Sequence, residues 1–148
     1  MPRIDLDAIE PRRGSDYPEP YDREVRECEV RALSRPAGLT DFEANHVVLP
    51  PGAWSSQRHW HEGEDEFLVM VAGGAMLVDD AGETPLRPGD CVAFPKGDGN
   101  GHHLVAGAEG CRFVVLGMAE RSPCHYPDID LLYDAAADRY RHRDGTSY

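Results

Sequence analysis

The sequence predicts an all-β chain, a sandwich or a small barrel, and three observations carry that expectation. Short apolar runs recur at roughly ten-residue spacing between Asp41 and Met118. A Gly, Pro or Asp stands close to each run. No long amphipathic helical period lies between them.

Taken in order, Phe42 to Leu49 reads as a strand ended by Pro50-Pro51-Gly52. Gln57 to His61 is a second strand. Glu66 to Val71 and Ala75 to Asp79 flank Gly73-Gly74, which predicts a hairpin. Glu83 to Leu86, Cys91 to Phe94, His102 to Ala106 and Arg112 to Met118 complete the set. Residues 41–118 therefore form the expected barrel. Residues 1–40, with Pro2, Pro11, Pro18, Pro20 and Pro36, read as an extended arm holding one short ordered element between Asp22 and Ser34. Residues 119–148 form a tail; Ile129, Leu131 and Leu132 predict that it packs back on the barrel, and Arg139 to Tyr148 is expected at the surface.

At 148 residues the chain is long enough for one domain that buries about 70% of its unfolded surface without covalent staples. It carries 15 Lys plus Arg against 27 Asp plus Glu, a formal charge of −12. Such a surface repels phosphate backbones and anionic lipid, so no nucleic acid and no membrane is expected as a partner. The longest apolar run, Phe67 to Val78, is 12 residues, too short to span a bilayer as a helix. Cys28, Cys91, Cys111 and Cys124 lie far apart with no CxxC pair, as expected for reduced structural thiols in a cytoplasmic protein.

The chemistry concentrates around His59. Side chains alternate along a strand, so His59 and His61 project from one face about 7 Å apart, a separation from which two imidazoles can converge on one ion. Gln57 shares that face; Arg58 and Trp60 point the other way. Glu66 follows after four residues and Gly73 after six more. Downstream, Gly89 to Gly97 leads through a polar loop to His102-His103.

Together these residues, HxH-x4-E-x6-G and then G-x5-P-x-G followed by His, resemble the paired motif of the cupin superfamily over Gly52 to Ala106. The resemblance implies a double-stranded β-helix, a jelly-roll-like barrel with a metal in its mouth. It implies His59, His61, Glu66 and one of the later histidines as ligands. Three departures stand out. Six residues rather than five separate Gly52 from His59. Asp98 to Gly101 makes the last loop two residues longer than usual. The Asn that usually follows the last ligand is missing, since Ala106 and Gly107 stand at the two positions where it could fall. His102 is preferred over His103, because its loop departs less and alternation sends only one of the pair inward.

Three imidazoles and a carboxylate suit one divalent transition ion, Zn, Mn, Fe, Ni or Cu, with open positions for a small oxygenated ligand. Gln57 is expected to reach a metal-bound water. Lys96, the single lysine, is the cation nearest in sequence to the third histidine. His46 reads as a sheet histidine, His125 and His142 as tail residues, and Glu62, Glu64 and Asp65 as an acidic turn. Small single-domain chains of this kind resemble the sugar-phosphate-isomerase-like cupins. A metal-dependent dioxygenase or oxidase, and a non-catalytic small-molecule-binding module, remain as alternatives. A homodimer is expected, bridged by arm and tail.

Overall fold

The computed structural model describes residues 3–148, so Pro2 lies outside the described residues. Among these, the strands are β1 (Arg12–Arg13), β2 (Glu29–Ala32), β3 (Phe42–Leu49), β4 (Trp60–His61), β5 (Glu66–Asp79), β6 (Gly82–Leu86), β7 (Cys91–Phe94), β8 (His103–Met118), β9 (Cys124–Tyr126), β10 (Leu131–Asp134) and β11 (Arg139–Arg141). One short helix, α1 (Ser34–Ala37), and a 3-10 turn at Leu6–Ala8 complete them. A seven-stranded sheet runs β1-β2-β3-β8-β5-β6, with β7 beside the first half of β5. A second sheet runs β11-β10-β9-β4. The fold is all-β, as expected.

Alternation assigns the two faces of the large sheet. Val47 and Leu49, Leu68 and Met70, and Cys111 and Phe113 point inward and are buried in one cluster. Leu77, Leu104 and Ala106, from the other half of β5 and β8, belong to the same cluster. Two halves of one ladder can share a core only if the ladder is folded over. The register shows where. β5 pairs with β8 from Phe67↔Leu116 to Val78↔His103, with shifts at Met70/Ala72 and Gly73/Ala75. Between the partners of Gly73 and Ala75, β8 advances from Cys111 to Ala106, and the surplus residues loop out at a corner.

This corner corrects the expected hairpin. Gly73-Gly74 is not a turn between two strands; the chain continues through it as β5. The expected strands His102 to Ala106 and Arg112 to Met118 are likewise joined into β8, except that His102 stands just before it as an isolated bridge to His59. Gly73 has a left-handed φ of 69°, and a Cβ there would fall inside the van der Waals shell of the Gly110 carbonyl oxygen. The glycine marks close backbone approach at a bend rather than a reversal.

The arm is also more ordered than the proline spacing predicts. β2 falls in the expected Asp22–Ser34 window and pairs with β3 through Val30↔Val47, while β1 pairs with β2. The large sheet thus begins upstream of residue 41. In the tail, Leu131 is buried with Cys124 and Tyr126, and Tyr17 and Tyr21 of the arm pack on them. Tyr140 joins that cluster from β11, so residues 139–148 are not wholly surface.

Arg58 ties these parts together. Its Nε and Nη2 donate to the two Asp128 oxygens at 2.6 Å, and Nη1 donates to Asp80 and to the Gly101 carbonyl. One guanidinium therefore clamps the tail, the β5–β6 turn and the loop before His102. Replacing Gly73 with Ala should lower unfolding stability by about 2–3 kcal/mol in urea titration, through strain and backbone collision at the corner. A change below about 0.5 kcal/mol would show that the bend does not depend on this glycine.

Candidate metal centre

β4 and the bridge before it position the first histidines. His59 and His102 exchange both backbone hydrogen bonds, at 3.1 and 2.9 Å. Directly opposed residues send their side chains to the same face, so His102 stands beside His59 and alternation turns His103 away. His103 instead donates Nδ1–H to the Ser56 carbonyl at 3.0 Å and packs edge-on against Trp54. Glu66 opens β5 and reaches the same point from the other wall.

The result is a convergence on one oxygen. The Nε2 atoms of His102, His61 and His59 lie 3.1, 3.6 and 3.9 Å from Glu66 Oε2. Donors about 2.1 Å from one ion sit roughly 3 to 4 Å from each other, so these spacings suit ligands sharing a cation. The opposite ring nitrogens are anchored. His59 Nδ1 faces the Gln57 carbonyl at 2.9 Å, His102 Nδ1 the Asn100 carbonyl at 3.4 Å, and His61 Nδ1 lies 3.5 Å from Glu64 Oε1. His61 Nδ1 is buried without a hydrogen bond of good geometry. An N–H on His59 Nδ1 towards the Gln57 carbonyl leaves its Nε2 as the lone-pair nitrogen, the arrangement metal-bound histidines use, while His102 Nε2–H donates to Glu66 Oε2 and would give up that proton to a metal. Phe94 stacks on the His102 ring at 3.5 Å and holds its plane. The residues present fit a divalent ion.

The electrostatics agree. Burial opposes ionisation of Glu66, yet the His102 hydrogen bond and the His59 and His61 rings hold its pKa down at about 2. Burial pushes His59 down to about 4, against the pull of Glu66. For His61 burial works the same way, but the nearby Glu64 and Glu66 carboxylates outweigh it and raise the ring. Glu64, though half-buried, is lowered by His61 and Ser122.

Two chambers meet at His59. The inner one, about 260 Å³, is bounded by Glu66 and His102 and walled by Leu68, Phe113 and Val115, with Arg12 as its cation. The outer one, about 240 Å³, lies between His61, Glu64, Cys124 and the rings of Tyr17, Tyr126 and Tyr140.

Four of the expected site residues, His59, His61, Glu66 and His102, are brought together. Two are not. Gln57 is buried but donates Nε2 to the Tyr21 carbonyl at 2.9 Å and to Glu24, so it fastens the arm instead of facing the mouth. Only Trp60 and His61 of the expected Gln57–His61 strand form regular β structure, and the alternation does not extend back to Gln57. Lys96 is exposed on its loop, where its backbone N–H donates to Asp65, and it borders neither chamber. His125 stacks on Trp60 and contacts Glu62, outside the mouth. His142 pairs with Asp130, and His46 leaves Nδ1 without a partner on β3. Cys124, Tyr126 and Phe94 were missed at the site, because only strand pairing brings them there.

Acid should therefore destabilise the metal-free protein. His59, His46 and His103 all bind protons more weakly folded than unfolded, as do Glu66 and Glu64. The histidine contribution is full above the ordinary imidazole value of 6.5 and is lost as pH falls towards the His59 value of about 4, whereas the two carboxylates keep theirs down to the ordinary value of 4.5 and lose it below. The raised His61 contributes below 6.5 and does not oppose this loss. Thermal melting of chelator-treated protein should show Tm falling steadily between those pH values; a flat Tm there would contradict the assigned protonation.

Comparison with known proteins agrees with this architecture. The cupin domain family matches residues 45–117. A crystal structure of a sugar phosphate isomerase of the cupin superfamily from Silicibacter pomeroyi is 40% identical, with TM-score 0.93, covering 99% of this chain and 96% of that one. The polyketide cyclase RemF from Streptomyces resistomycificus is 25% identical with TM-score 0.70, covering 87% of each chain. Oxalate decarboxylase from Bacillus subtilis shares the fold at 22% identity and TM-score 0.56, over 78% of this chain and 28% of its own. No curated protein matches the chain. From the double motif, the folded-over ladder and the match along nearly its whole length, the chain belongs to the cupin superfamily.

Proposed function

We propose that the protein is a metal-dependent enzyme that binds a small oxygenated substrate at His59, His61, Glu66 and His102, and that its reaction is of the sugar-phosphate-isomerase type. The observation that carries this reading is the convergence of three Nε2 atoms on Glu66 Oε2 beside a cavity of about 260 Å³. The 40% identity to the Silicibacter pomeroyi protein supports the reaction class. A bound divalent transition ion (Zn, Mn, Fe, Ni or Cu) would supply Lewis-acid polarisation of substrate oxygens.

The chain supplies the rest. The Nδ1 contacts and Phe94 fix the rings before substrate arrives, and Leu68, Phe113 and Val115 give the inner chamber an apolar wall. Of the three acids in the turn, Glu62 is engaged by His125 and Asp65 by the Lys96 backbone. Glu64 accepts from the Ser122 backbone N–H but, alone of the three, borders the outer chamber, within reach of His61. Its carboxylate is our assignment for the group that accepts and returns the substrate proton.

Protein purified without tag or chelator should hold one equivalent of transition metal. His102→Ala should lose most of it and His103→Ala should keep it. Glu64→Gln should retain metal but lower kcat by about 10²-fold or more. Turnover of phosphosugars under nitrogen supports isomerisation. Strict oxygen dependence would replace it with a dioxygenase or oxidase, and tight ligand binding without turnover would leave a binding protein.

Pairing of two copies is proposed through the outer face of the large sheet rather than through the arm and tail. Phe42, Phe67, Val69, Leu116 and Met118 share that face by register, with Phe67 43% and Met118 45% exposed. The outward positions of β3, β5 and β8 there carry no carboxylate among the described residues, so the −12 charge does not repel identical faces at this place. Exposed apolar patches of this kind mark association sites. Light scattering should give a dimer mass for the protein and a monomer mass for Phe67→Glu; a monomeric parent protein would refute the pairing.

A further inference from the structure

We propose that Cys124 is a metal donor at the same mouth, and that with His59 and His61 it forms a second, softer donor set that accepts thiophilic ions. The inference rests on the reading of this mouth as a metal centre and deepens it.

Donor atoms of His59, His61 and Cys124 all lie within 4.8 Å of one another, as do those of His59, Glu66 and His102. The two sets stand on opposite sides of one ring. Glu66 and His102 border the inner chamber, whereas His61 and Cys124 border the outer one. Strand pairing produces the second set: His61 and Cys124 are direct cross-strand partners of β4 and β9, so their side chains share a face. Trp60 and His125, one residue away on each strand, stack on the opposite face.

A buried thiol is ordinarily a small apolar filler. Cys28 and Cys111 fit that description, packed in the aliphatic core cluster. Cys124 does not. It is 3% exposed, yet its surroundings are two imidazoles, Glu64 and tyrosine rings. Because His59 belongs to both sets and offers one free nitrogen, and His61 Nε2 also lies 3.6 Å from Glu66 Oε2, the sets are alternatives for one ion, not two simultaneous sites. Hard ions such as Mn²⁺ take the carboxylate side; ions with more affinity for sulfur, Co²⁺ and above all Cd²⁺, take the thiolate side. On binding, the metal–sulfur bond forms as the S–H bond breaks, and the proton leaves to solvent.

Cobalt(II) and cadmium(II) test the proposal on the full-length protein. The cobalt form should show a near-ultraviolet thiolate-to-metal charge-transfer band that is absent in Cys124→Ser and retained in Glu66→Gln. Cys124→Ser should also weaken Cd²⁺ binding by roughly tenfold or more, the scale on which even outer partners of a ligand act, and leave Mn²⁺ binding unchanged. X-ray absorption of the unsubstituted cadmium protein needs no variant and should reveal a sulfur neighbour. Stoichiometric cobalt with no thiolate band, or cadmium without sulfur, overturns this proposal and leaves the His–carboxylate centre standing. Failure of every ion to bind would overturn both.

Discussion

The bend halfway along the β5–β8 ladder is the constraint on which the rest depends. Glu66 begins β5, and Val78 near its other end pairs with His103. A straight strand would separate those ends by about 40 Å. In the folded chain Glu66 Oε2 lies 3.1 Å from Nε2 of His102, the residue beside that far partner. Only a ladder doubled back on itself closes such a gap. The same doubling puts Met70 and Leu77 into one core, so the packing that stabilises the fold and the contact that builds the site are one geometric event. Hydrophobic burial drives the bend, and the two glycines at the corner permit it.

Closure of the mouth depends on a different kind of contact. The tail brings its own apolar cluster around Leu131, but the loop before His102 carries few core residues, and its placement is largely polar. Arg58 joins Asp128, Asp80 and Gly101, while Asn100 accepts from the Asp80 backbone and donates to Asp79. The two extra residues of that loop are thus accommodated by side-chain anchoring, leaving His102 opposite His59. Sequence neighbours divide the work: His59 faces inward to the centre, and Arg58 outward to the clamp.

Local pattern carried most of the fold and part of the site. Phe42–Leu49 and Cys91–Phe94 coincide with their expected strands because each ends at a proline or glycine that also ends the pairing. Gly73-Gly74 misled, since a glycine pair signals unusual backbone without saying whether it reverses a chain or bends it. His59, His61, Glu66 and His102 were legible from spacing that strands and a family pattern share. Gln57 was not, because the strand alternation behind it fails before residue 60. Cys124 had no local signal at all; its proximity to His61 arises from pairing between strands more than sixty residues apart. Lys96 attracted notice as the only lysine, but composition carries no information about direction.

The sign of the pocket follows from these placements. The cation bordering the inner chamber is Arg12, already paired with Asp16 at 2.7 Å and 60% exposed. Nearer the centre, two carboxylates, Glu66 and Glu64, are held below the ordinary carboxylate value while burial keeps His59 from protonating. An ionised carboxylate buried beside a ring that stays neutral is costly unless a cation compensates it. A divalent ion would do so and would also reverse the local potential. An anionic substrate therefore meets a repulsive mouth in the metal-free protein and an attractive one once the centre is filled, whatever the charge of the outer shell.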